Sequence, residues 1–180
     1  MADVAITYAQ ALLNIAIEEN DIDRYLAAND LMLHLFEEQP ELYALLTSEF
    51  ISKSDRLGLV DNFLTSINLP NYVNFIKVLI DRKRLSSFIP IAFEFKRLAH
   101  TVQNKVEAIV YSTTPLQEEK FQQLQLTLSK KHGKTVLLRN EIDEQLLGGI
   151  KVVIGDEVYD GSISGKLQQL QAKLHQGKAE

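Results

Sequence analysis

The sequence predicts an α+β chain in two parts: an N-terminal six-helix bundle, then a small α/β module with a short sheet and two helices. Three observations carry this. Only Gly58 precedes residue 133, whereas Gly133, Gly148, Gly149, Gly155, Gly161, Gly165 and Gly177 lie at or beyond it. Glycine is disfavoured inside helices and useful at turns, so the first stretch reads as helix and the last as turn-rich. Charge divides in a similar place: residues 1–104 hold nine Lys+Arg against fourteen Asp+Glu, and residues 105–180 hold ten of each. The apolar period also changes from helical spacing to alternation just after Asn104. The predicted domains are therefore 1–104 and 105–180.

In the first part, helices are expected at about Asp3–Glu19 and Ile22–Glu38, separated by an Asn20-Asp21 turn. Pro40, at a first helical position, opens a short third helix. Ser52-Lys53-Ser54-Asp55 resembles a capping box and starts a fourth, to about Ser66. Pro70 and Asn71 open a fifth, to about Arg84. Ser86-Ser87 lead into a sixth, with Pro90 in its first turn and its end near Gln103. Short connections between such helices imply antiparallel neighbours in a bundle.

In the second part, Val106, Ala108 and Val110 alternate with Glu107, Ile109 and Tyr111, a strand pattern. Thr114-Pro115-Leu116-Gln117 predicts an N-cap with proline at the first helical position. The helix that follows should stop at Lys130-Lys131-His132-Gly133, with cations on the negative helix end and a glycine C-cap. Thr135–Leu138 and Ile150–Ile154 read as strands, and Val158-Tyr159 as a fourth. Ser162 then caps a last helix whose Ile163, Leu167, Leu170 and Leu174 form one narrow apolar stripe.

Composition narrows the function. An apolar fraction of 46% with 24% charged residues is that of an ordinary globular protein. No run approaches the roughly 18 apolar residues of a membrane span. Nothing after Met1 predicts a secretory signal or an organellar leader, so a cytosolic-side, soluble chain is expected. Zero cysteines exclude disulfides and thiolate metal sites or nucleophiles. A net charge of −5 argues against nucleic acid, whose phosphates need a clustered positive field.

Catalytic constellations are weak. His34, His100, His132 and His175 are scattered without metal-ligand spacing, and each is expected as a surface residue or cap. The adjacent carboxylates Glu18-Glu19, Glu37-Glu38 and Glu118-Glu119 do not face one another on a helix, so they make poor acid/base pairs. Gly161-Ser162-Ile163-Ser164-Gly165-Lys166-Leu167 precedes a helix as a phosphate-binding loop does. It has three residues between its glycines instead of four, and Leu167 stands where a magnesium-binding hydroxyl belongs. The structural alternative is a turn at Asp160-Gly161, a cap at Ser162, and close helix packing at Gly165. Arg82-Lys83-Arg84 closes the fifth helix, where cations favour the helix dipole. No metal or cofactor is expected.

The first helix is more informative. At about 100° per residue, Val4, Tyr8, Ala11 and Ile15 fall within about 60° of arc, and Ala5, Leu12, Ala16, Ala9, Leu13, Ile6 and Ile17 continue round to about 220°. A bundle helix needs an apolar stripe of little over 100° for its own core. On the fifth helix, Tyr72, Phe75, Ile76, Leu79 and Ile80 suffice for a core, yet Val78 projects among Asn71, Asn74 and Arg82. Either both helices are buried all round, or they expose an apolar groove for a partner's amphipathic helix. Composition leaves both open, and a general helical adaptor for some amphipathic segment remains the alternative function.

Several segments together resemble the delta subunit of F-type ATP synthases, the oligomycin sensitivity-conferring protein family. They are Tyr8-Ala9-x-Ala11-Leu12, Asn74 to Leu79 through Arg84-Leu85, and Gly148-Gly149-Ile150-Lys151-Val152 followed by Gly155-Asp156-x-Val158-x-Asp160-Gly161-Ser162-Ile163-x-Gly165-Lys166-Leu167. Length, order and spacing fit over essentially the whole chain. Two positions depart: Lys83 stands where many relatives have glycine, and Lys166 replaces a frequent arginine. The resemblance implies a non-catalytic stator subunit, one copy per complex, at the cytoplasmic face of the cell membrane without inserting into it. It implies a six-helix amino-terminal bundle that binds amino-terminal segments of the alpha subunits, and a carboxy-terminal module that docks the b subunits. By position, Tyr8, Ala11, Leu12, Ile15, Asn74, Phe75, Val78 and Arg82 would meet the alpha segment. Gly148, Gly149, Asp160, Gly161, Ser162 and Leu167 would belong to the stalk-binding domain, the glycine-rich segment being structural there.

Overall fold

The computed structural model describes residues 2–48, 50–64 and 67–168. The chain divides into two compact units, Met1–Val102 and Gln103–Glu180. The architecture is α+β: a helical unit, then a unit built on a four-stranded mixed sheet.

The helical unit contains α1 (Ala2–Glu18), α2 (Ile22–Glu38), α3 (Pro40–Thr47), α4 (Lys53–Phe63), α5 (Pro70–Asp81) and α6 (Phe88–Val102), with a 3-10 turn at Leu85–Ser87 before α6. Local chemistry explains the starts. Pro40 and Pro70 occupy first-turn positions, where the missing N–H costs nothing. The Ser52 hydroxyl accepts from the Asp55 N–H at 3.2 Å, capping α4, and donates to the Asp55 carboxylate at 2.7 Å. The box is thus closed side chain to side chain. The helix stops at Phe63, short of the expected end at Ser66, which lies outside the described residues.

Left-handed residues explain the stops. Asn20 at φ +53° ends α1, with its N–H on the Ile17 carbonyl and the Asp21 N–H on Ala16. The same pair of bonds ends α5: the Lys83 N–H reaches Ile80 and the Arg84 N–H reaches Leu79, with Lys83 at φ +54°. The fifth helix therefore ends at Asp81 rather than Arg84, because residue 83 has turned out of helical geometry. A lysine at the position that favours glycine accounts for the difficulty of locating this end from sequence.

α1 packs chiefly along α6 and meets α2 and α5. Ala9, Leu12 and Ala16 of α1, Ile76 and Leu79 of α5, and Phe88, Ile91 and Phe95 of α6 are fully enclosed. Burying each Leu, Ile or Phe contributes about 1.5–3 kcal/mol. Aromatic edges lock the interior: Tyr25 meets Tyr72 with ring centroids 6.0 Å apart, and Phe36 meets Phe88 at 5.3 Å.

The second unit has β1 (Lys105–Ser112), α7 (Glu118–His132), β2 (Thr135–Ile142), β3 (Ile150–Ile154) and β4 (Glu157–Asp160), with residues 163–168 in a further helical stretch, α8. Strand order is β2-β1-β3-β4; β1 and β2 are parallel and the other pairs antiparallel. Register places Ala108 opposite Ile154 and Val110 opposite Val152, and these four, with Val136 and Leu128 of α7, form the second core. α7 closes at Gly133 with φ +64°, after Lys130, Lys131 and His132.

The expected cap at Thr114 is not used. α7 begins at Glu118, with Gln117 at the N-cap position and no side-chain cap. Asn140 on β2 is the reason: its Oδ1 accepts the Leu116 N–H at 2.9 Å, and its Nδ2 donates to the Ser112 hydroxyl at 2.8 Å. The Ser112 hydroxyl in turn donates to the Thr114 carbonyl, so residues 112–116 are held to the sheet and cannot coil. Of the stripe expected on the last helix, Ile163 and Leu167 are half exposed; Leu170 and Leu174 lie outside the described residues, as does His175.

Candidate partner-binding surfaces

On α1, positions 5, 9, 12, 13 and 16 make the core-facing arc. Tyr8 and Ile15 are half-buried at its edge and Ala11 is exposed. Leu12 was expected among the surface residues, but none of its surface is exposed. It sits about 40° round the helix from Tyr8, toward α6, which is enough to place it in the core. Ile6 and Ile17 are exposed on the far side of that arc, at 50% and 44%. The surplus apolar surface of α1 thus flanks its core on both edges, and the helix is not buried all round.

On α5 the core set is Tyr72, Phe75, Ile76, Leu79 and Ile80. Phe75 is therefore an interior residue that reaches the seam only through its ring, which meets Tyr8 edge-on at 6.4 Å. Val78 is 45% exposed, and Asn74 and Arg82 are exposed on the same face, at spacings of four residues. The Tyr8–Phe75 contact brings α1 and α5 side by side, with Ala11, Ile15 and Val78 among the residues left near the surface.

A residue set aside from the sequence holds this seam. Glu19, at the end of α1, accepts from the Tyr25 hydroxyl of α2 at 2.7 Å and from the Asn71 amide of α5. These bonds, the Tyr25 one foremost, hold its carboxyl below the ordinary range. Burial and the Glu19 carboxylate push the Tyr25 phenol well up. Helix-end carboxylates are common, so only the three-dimensional meeting of 19, 25 and 71 could single this one out.

In the second unit, the glycine-rich segment is a backbone-on-backbone junction. Gly161 N–H donates to Ile150 O at 2.9 Å, and Ile163 N–H to Gly148 O at 3.0 Å. Gly149 has φ +76°, and a Cβ there would lie 2.5 Å from Gly161 O. Asp160 Oδ1 accepts from the Ser162 N–H at 2.9 Å and from the Ser162 hydroxyl at 2.6 Å. These bonds to Ser162 hold the Asp160 carboxyl below its usual value. The buried Ser162 hydroxyl accepts the Gly165 N–H at 3.0 Å, capping α8. The engagement of these groups with one another favours the structural alternative over a phosphate-binding loop, and Leu167, Ile163 and Val158 offer exposed apolar surface. An open recess of about 560 Å³ is lined by Val158 together with Leu124, Leu128 and Val152.

Of the histidines, His34 pairs with Glu38 and His132 meets the Tyr159 ring. His100, expected as a surface residue or cap, lies in the last turn of α6 and is buried. Among the described residues no group of three or more His, Asp or Glu is placed to hold a metal ion, and no helix is long and apolar enough to cross a membrane.

The sequence profile of the ATP synthase delta (OSCP) subunit matches residues 4–174. ATP synthase subunit delta of Halalkalibacterium halodurans is 35% identical over 175 residues, covering 97% of this chain and 96% of that one. The subunit delta of Bacillus thuringiensis is 37% identical over 172 residues, 95% of each. This chain belongs to the ATP synthase delta (OSCP) subunit family. As a delta subunit it is a non-catalytic part of the stator of an F-type ATP synthase, a membrane-associated complex, and it assembles with other subunits of that complex. That membership replaces the alternative of a general helical adaptor. The fold agrees: a chain in the cryo-EM structure of the Toxoplasma gondii mitochondrial ATP synthase hexamer superposes with a TM-score of 0.75 at 18% identity, covering 94% of this delta subunit and 96% of that chain.

Proposed function

We propose that this delta subunit clamps the catalytic head to the stalk, with one domain for each partner. The N-terminal six-helix bundle takes the amino-terminal helical segment of an alpha subunit along the α1–α5 seam, and the C-terminal domain docks the b subunits. One copy serves each complex, at the cytoplasmic face of the cell membrane. The observation that carries this is the apolar margin beside the Tyr8–Phe75 contact, exposed at Ala11 and Val78 and half-buried at Ile15. Tyr8 and the edge of the Phe75 ring form its floor and wall, and Asn74 and Arg82 its polar rim.

The mechanics set the requirement. A rotor turning inside the head drags it round, and proton flow yields no ATP unless the head is held. The clamp must release slowly and need do no chemistry. Desolvated apolar contacts ringed by polar groups have that property, since affinity differences appear mainly in the off-rate. Glu19 serves by fixing the α1–α5 spacing before the partner arrives, which lowers the ordering cost of binding.

The test uses membranes depleted of this subunit. Added wild-type chain is expected to restore ATP-driven proton pumping, and Val78→Asp to restore far less at equal concentration. Full restoration by Val78→Asp would remove α5 from the clamp.

A further inference from the structure

We draw no further inference here: the strongest candidate, the open apolar recess of the sheet unit between α7 and the β3–β4 hairpin, lined by Leu124, Leu128, Val152 and Val158, is an unpartnered face, and nothing in the structure shows what covers it.

Discussion

Leu12 and Val78 belong to the two helices of one seam yet differ completely in burial. Leu12 is enclosed in the interior, and Leu12→Ala is expected to cost the helical unit about 2–5 kcal/mol, read as a lower midpoint in denaturant titration. Val78 is 45% exposed, so the same measurement on Val78→Asp should change little. Lys83 makes the opposite prediction. At φ +54° it occupies the helix-ending position that glycine fills without steric penalty, so Lys83→Gly should raise stability by about 0.5–1 kcal/mol. A fall in the midpoint would mean that the lysine side chain's own contacts outweigh its backbone strain.

Elements are held together by groups whose importance depends on who meets them. α1, α2 and α5 converge on Glu19, whose folded-state carboxyl is lowered by Tyr25 and Asn71. A lowered carboxyl contributes stability above its unfolded value, near 4.3, and loses it as pH falls through the folded value. Tyr25 runs the other way: its raised phenol contributes below about pH 10 and the contribution fades as pH climbs beyond that. Glu19→Gln should therefore flatten the acid limb of a stability-versus-pH curve, observed by thermal melting between about pH 2 and 6. In the second unit Ser162→Ala removes the cap on α8 and a bond to Asp160, and should cost about 1–2 kcal/mol in that unit alone. Helix and strand placement was largely readable in advance, because prolines, glycine spacing and apolar period act locally. What was not readable depends on distant partners. Asn140 on β2 cancels a sound cap at Thr114, and Glu19 gains its role only when α2 and α5 arrive. Lys83 concealed the end of α5 because a left-handed lysine leaves no compositional mark. At the surfaces, the excess apolar arc of α1 was visible, but whether Leu12 or Ala11 faced out turned on tens of degrees of helix rotation.

For the whole molecule, stator work asks for two attachments and no chemistry. The helical unit offers an apolar margin on a seam bonded through Glu19, and the sheet unit an apolar strip beside a tightly bonded glycine junction. α1 and α5 carry more apolar surface than their own core absorbs, and in the proposed function a helix from the head covers it. Calorimetric titration of the full-length chain with a synthetic alpha-subunit amino-terminal peptide tests this most directly. The expected result is saturable one-to-one binding that Val78→Asp weakens at least about tenfold while its circular dichroism spectrum is unchanged. Equal affinity in the two proteins would contradict it.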